Sequence, residues 1–158
     1  GLAKVTLRTI AKEIGISQGN LNYHFKKRED IIETLYYKLV KNLDAIFELK
    51  KETDNIFEAL FDVSEKVMHN FYDYRFIFLD FVHIMRENKI IKGHYLQLVQ
   101  HREIQVMQLF QLLIKEEFLR KPLLENEYEN LYKRTQIMSD FWFSYVIISS
   151  KNISKSSI

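Results

Sequence analysis

Cysteine is absent from the 158 residues, which excludes disulfides and thiolate metal ligands and is compatible with a reducing cytoplasm. One proline and four glycines leave few enforced breaks, so long helices are the default expectation. No apolar run approaches the ~20 residues that a membrane span needs, and no charged-then-apolar leader opens the chain, so the expectation is a soluble, cytoplasmic protein. A nucleophile elbow, a phosphate-cradling glycine loop and a compact acid pair are all missing, which leaves catalysis without support. The one oddly placed acid, Asp80 in an apolar segment, reads as a structural hydrogen-bonding partner. His69, His83, His94 and His101 contain no pair at i, i+4 spacing and no cysteine assists them, so neither metal nor cofactor is expected.

What is present is helical and apolar. With 47% hydrophobic residues the chain can bury one or two compact helical cores. Its most informative stretch is TLRTIAKEIGISQGNLNYHF, Thr6 to Phe25. Leu7, Ile10, Ala11 and Ile14 recur at helical spacing, Thr6 is a natural N-cap, and Gly15 supplies the left-handed residue that often ends a helix. Ile16 is expected to drop into the crevice behind the turn, and Ser17 to cap a second helix. On that helix Leu21 and Phe25 face inward, leaving Gln18, Gly19, Asn22 and Tyr23 outside. Amides, a glycine and a phenol suit hydrogen bonding to base edges and phosphates in a major groove, where Gly19 lets the backbone come close.

The formal net charge of +2 hides an asymmetry. Between Gly1 and Arg28 lie Lys4, Arg8, Lys12, Lys26, Lys27 and Arg28 against Glu13 alone, so the positive excess coincides with the helix-turn-helix pattern.

The run IAKEIGISQGNLNYHFKKREDII resembles the N-terminal DNA-binding signature of the tetracycline-repressor (TetR-like) family of bacterial transcription regulators, over about Gly1 to Leu35. The resemblance implies a homodimer that reads a palindromic double-stranded DNA operator and answers to a small ligand. It places DNA contacts at Thr6, Ser17, Gln18, Gly19, Asn20, Asn22, Tyr23, His24, Lys26 and Arg28, with His24 and Arg28 meeting phosphates. Where the family usually carries tyrosine this chain has Asn22, and Tyr23 is the neighbouring aromatic. The resemblance also implies a helix ahead of Gly1 and one more after Ser150.

Downstream, the pattern predicts helices over about 28–51, with Ile32, Leu35, Tyr36, Leu39, Leu43, Ile46 and Phe47 inward, and over about 53–73. A largely buried segment at 74–87 follows, then an interruption at 88–93 and a long helix to about Arg120 that Pro122 closes. A last helix should cover 125–150. The expected organisation is all-α: a helix-turn-helix domain with its connecting helix over 1–50, a helical-bundle ligand-binding and dimerisation domain over 51–150, and a polar tail over 151–158. By the resemblance the bundle holds a pocket for a small apolar or aromatic ligand, for which Phe61, Met68, Phe78, Phe81, His83, Phe110 and Trp142 are the candidates. Aromatics at helical spacing also simply fill cores. Tyr132, Phe141 and Tyr145 are the candidate dimer contacts. The expected function is that of a ligand-responsive repressor. Its rivals are an all-helical protein-interaction module without DNA binding and a helical-bundle enzyme.

Overall fold

The computed structural model describes residues 2–48 and 55–149. Among them are a 3-10 turn (Leu2–Lys4) and the helices α1 (Leu7–Glu13), α2 (Gln18–His24), α3 (Arg28–Glu48), α4 (Ile56–Asp73), α5 (Arg75–Leu79), α6 (Phe81–Glu87), α7 (Lys89–Lys115) and α8 (Glu127–Ile148), with no strand. The expected starts near Thr53 and the tail over 151–158 lie outside the described residues.

Caps explain where several helices begin. Asn55 Oδ1 accepts from the amides of Phe57 and Glu58, and Asn88 Oδ1 accepts from those of Ile90 and Ile91 at 3.0 Å each. The cap at Asn88 corrects the expected interruption over 88–93: the break is a single residue, and Gly93 lies inside α7. At the other end α7 stops at Lys115 and not near Arg120. Glu117 takes φ of 62°, and the amides of Phe118 and Leu119 return to the carbonyl of Leu113, so a backbone cap ends the helix before Pro122 can act. The apolar segment 74–87 is two short helices broken at Asp80, with Ile77, Phe78 and Ile84 buried but Val82 and His83 exposed.

By packing, the described residues of Gly1–Phe81 and Phe143–Ile158 form one compact unit and Val82–Trp142 another. In the first unit α3 packs along α4. In that unit α1 also packs on α2 and α4 on α5. Ile32, Tyr36, Leu39 and Val40 form the buried stripe of α3, whereas Phe47, expected inward, is 52% exposed. Asn70, itself buried, donates to the Leu39 carbonyl at 3.3 Å and accepts from Asn42 Nδ2 at 3.3 Å, which keys α4 to α3 through polar groups. Phe78 rests against Phe71 and Phe143, with ring centroids 4.7 and 5.8 Å apart.

In the second unit, Tyr132 donates to the Val99 carbonyl at 3.0 Å, and Tyr95 donates to Asp140 Oδ2 at 2.5 Å. Gln136 Nε2 completes the cluster by donating to Asp140 Oδ1 at 3.1 Å. Burial pushes the Asp140 carboxyl above the ordinary carboxylate range, although both hydrogen bonds pull the other way. The folded protein therefore holds this proton more tightly than the unfolded chain. The resulting stability is fully present below about pH 4, the unfolded value, and is lost as pH rises through the raised folded value. Urea midpoints of wild type and Asp140→Asn measured from pH 4 to 7 should diverge in favour of the variant as pH rises. Parallel curves would mean that the carboxyl is not strained by burial. Glu127 behaves oppositely. Its hydrogen bond from Arg120 lowers it to about 2, so its contribution is lost only as pH falls toward that value.

Candidate nucleic-acid interface

The two short helices of the head are set by local chemistry. Thr6 Oγ1 accepts from the Thr9 amide at 3.2 Å while Thr9 Oγ1 accepts from the Thr6 amide at 2.9 Å, a reciprocal capping box. Gly15 turns the chain with φ of 74°, and Ser17 Oγ accepts from the Asn20 amide at 3.1 Å to open α2. Ala11 and Leu21 are the buried residues of α1 and α2, respectively. Ile16, expected in the crevice, stays at its edge and is 36% exposed; its backbone amide makes the tie, to the Ala11 carbonyl.

With Leu21 inward, Gln18, Gly19, Asn20, Tyr23 and His24 are exposed, Tyr23 by 79%. The Tyr23 and His24 rings meet edge to face with centroids 5.1 Å apart, so the phenol is braced at the surface. Thr6, Ser17 and the cations Lys4, Arg8, Lys12, Lys26 and Lys27 are exposed as well. Gly19 is not required by the fold: a Cβ there would meet only Ser17 Oγ, at 3.9 Å.

Two predicted contacts sit differently from the rest. Asn22, expected outside, is half-buried on the flank beside Leu21. Its Oδ1 is shut off from solvent and accepts from no described residue, and Lys26 Nζ bonds its main-chain carbonyl at 3.2 Å. Arg28 turns inward: its guanidinium donates to the carbonyls of Leu2 and Val5 at 2.9 and 3.4 Å and pairs with Glu29 at 2.9 Å. Its donors therefore brace the turn ahead of α1.

Two groups that sequence reasoning missed, together with Asp80, which was expected as a hydrogen-bonding partner, also shape the structure. Asp30 looks like an ordinary first-turn acid, yet its Oδ2 accepts from the amides of Lys26 and Lys27 at 3.1 Å each and pins the loop between α2 and α3. An acid three residues into a helix is the only signal, and it is a common one. Asp80 accepts from the Leu2 amide at 2.7 Å, a partner 78 positions away that no local pattern announces. Tyr95, Gln136 and Asp140 meet across two helices, again without a local signature.

Of the predicted pocket residues, Phe61, Met68, Phe78 and Phe81 belong to the first unit and His83, Phe110 and Trp142 to the second. Phe78 is buried, Met68, Phe81 and Phe110 are half-buried, Phe110 stacks near Tyr128 at 5.0 Å, and Phe61 is 72% exposed. His83 and Trp142 are exposed. An open groove of about 330 Å³ lies elsewhere, along α1, lined by Val5, Thr9, Ile10, Glu13 and Ile14. Among the predicted dimer contacts Tyr132 is buried and engaged with Val99, while Phe141 and Tyr145 are 43% and 59% exposed. No helix among the described residues is long and apolar enough to cross a membrane.

Two capped helices joined by a tight turn, followed by the long α3 and further helices, make a helix-turn-helix head ahead of a helical region. The profile of the bacterial regulatory proteins of the tetR family matches residues 1–35, and that of the TetR bacterial transcriptional repressors matches residues 38–158. The chain belongs to the TetR family of transcriptional regulators, and membership points to a regulator without enzymatic activity. A TetR-family transcriptional regulator from Marinobacter aquaeolei VT8 has a similar structure, with a TM-score of 0.79 at 20% identity, covering 92% of this chain and 71% of that one. No curated protein sequence matches.

Proposed function

We propose that the chain is a homodimeric, ligand-responsive repressor acting in the cytoplasm, in which each subunit lays α2 in the major groove of one half of a palindromic operator. The observation that carries this reading is the outer face of α2. Gln18, Gly19, Asn20, Tyr23 and His24 are all exposed beside a buried Leu21, with Lys26 and Lys27 at the helix end and Lys4, Arg8 and Lys12 on the flanking segments. Thr6 and Ser17, at the two helix starts, join the backbone contacts. Residues 1–50 form the DNA-reading part and 51–150 the regulatory part. Arg28 is left out of the phosphate contacts, since its donors are occupied.

Dimerisation falls to the outward side of α8, where Met138, Phe141, Tyr145 and Ile148 recur at three- and four-residue spacing and are all exposed. The effector is a small apolar or aromatic molecule held among the aromatic helices beyond residue 55. It changes operator affinity only to the extent that it binds one placement of the heads more tightly than another.

Selection of bound fragments from random DNA tests the reading directly. The expected product is an inverted repeat with half-site centres one helical turn apart or a multiple, about 34 Å. No enrichment at low salt would favour a protein-interaction module instead.

Gly19 offers a second check with opposite signs. Gly19→Ala has room within the head, so it should raise thermal stability, by up to about 1 kcal/mol for a helical glycine. The added methyl stands on the face pressed toward DNA and should weaken operator binding. A variant that is stabilised and binds as tightly as wild type would move the contact face away from Gly19.

A further inference from the structure

Leu2 is held more firmly than its place in a three-residue turn explains. Its side chain is buried. Its amide donates to Asp80 Oδ2 at 2.7 Å, and its carbonyl accepts from Arg28 at 2.9 Å. The same carbonyl accepts from the Val5 amide at 3.0 Å, which closes the turn leading into Thr6 and α1. One peptide segment is thus gripped from two sides by charged side chains, Asp80 at the end of α5 and Arg28 at the start of α3. All of these residues belong to the first compact unit.

The two grips differ in what they can do. Arg28 adjoins the loop that ends α2, so its bonds stay within the head. Asp80 lies beyond α4 and α5, and its bond to Leu2 joins the head to the helices behind it. Asp80 also marks where the apolar segment breaks into α5 and α6, so its carboxylate is carried by a junction between two helices and not by the middle of a rigid one.

We infer that Asp80 is a positioning residue for DNA reading: by holding the Leu2 amide it fixes the angle of the helix-turn-helix against α5, and thereby the spacing at which two heads meet an operator. This rests on the DNA-binding reading above. Asp80 touches no DNA in this arrangement. Its substitution should therefore leave a single head's recognition intact and disturb only the joint placement of two.

The test compares Asp80→Ala with Asp80→Asn in the full chain. Asparagine keeps an acceptor oxygen for the Leu2 amide, and alanine removes it. In Asp80→Ala, amide hydrogen exchange at Leu2 and Val5 should accelerate by roughly tenfold or more, with Asp80→Asn restoring most of the protection. Affinity of Asp80→Ala for the selected full operator should fall by roughly tenfold, while affinity for an isolated half-site stays at the wild-type value and far-UV circular dichroism is unchanged. Unchanged exchange in Asp80→Ala overturns the tether. Equal losses on the half-site and the full operator overturn the positioning role, since they would mark general damage to the head. A wild-type protein that binds no DNA at low salt defeats the DNA-binding reading before any substitution is made, and the exchange contrast between the two variants still decides whether Asp80 holds Leu2.

Discussion

Leu21→Ala should lower the stability of the head by about 2–5 kcal/mol, the range for deleting a buried leucine, while Tyr23→Ala, two residues further along the same helix, should leave it within about 0.5 kcal/mol. Leu21 is 5% exposed and Tyr23 is 79% exposed, so the two substitutions remove comparable apolar bulk from opposite environments. The head is made of two seven-residue helices that cannot persist without their shared contact, and Leu21 is the one buried side chain of α2. Loss of operator binding should accompany both changes, for different reasons. Leu21→Ala would lose it through unfolding of the head, visible as an earlier thermal transition. Tyr23→Ala would lose it at constant melting temperature. Equal thermal shifts would mean that the faces of α2 are reversed.

Raising salt from 50 to 200 mM should weaken binding to mixed-sequence DNA by roughly 10³ to 10⁵-fold, the loss expected when six to ten phosphates are neutralised. Lys4, Arg8, Lys12, Lys26 and Lys27 are exposed on the head, and in the proposed dimer two heads would double that set. The cause is counterion release: each cation that replaces a condensed ion on the duplex makes binding more sensitive to the bulk ion concentration. Arg28 should contribute little to the slope because its guanidinium is already bonded to Leu2, Val5 and Glu29. Filter-binding or anisotropy titrations across the salt range would show it. A flat dependence would remove the electrostatic basis of the DNA-binding reading.

The head was largely legible in the sequence because its determinants are local. A threonine cap, a turn glycine and a serine cap act over four or five positions and appear where the pattern put them, and Ala11 and Leu21 are buried, whereas Ile14 and Ile16 stay at the surface. The all-helical fold was legible for the same reason, given so few breaking residues. Boundaries were read less well where a backbone or side-chain cap overrode the obvious breaker: Asn88 starts α7 despite Gly93, and Glu117 stops it before Pro122. Least legible were contacts between residues far apart in the chain. That Arg28 would turn toward Leu2, that Asp80 would reach the same residue, and that Asp140 would meet Tyr95 depend on packing that no local window contains. Asn22 illustrates the intermediate case. A helical wheel puts it outside, but it stands beside Leu21, and the fold draws its side-chain oxygen away from water.

The amide pair between α3 and α4 has a mechanical consequence. Asn42 and Asn70 are bonded to each other, and Asn70 also holds the Leu39 carbonyl. Sliding α3 along α4 by one turn, about 5.4 Å, would break both bonds and strand polar atoms in an apolar seam, at about 1–3 kcal/mol for each group left unpaired. Tilting the two helices together breaks neither. The pair therefore works as a detent that resists translation and permits rotation, and in the proposed regulator a displacement near α4 would reach the α2–α3 loop as a swing of a stiff lever and not as a shift in helical register.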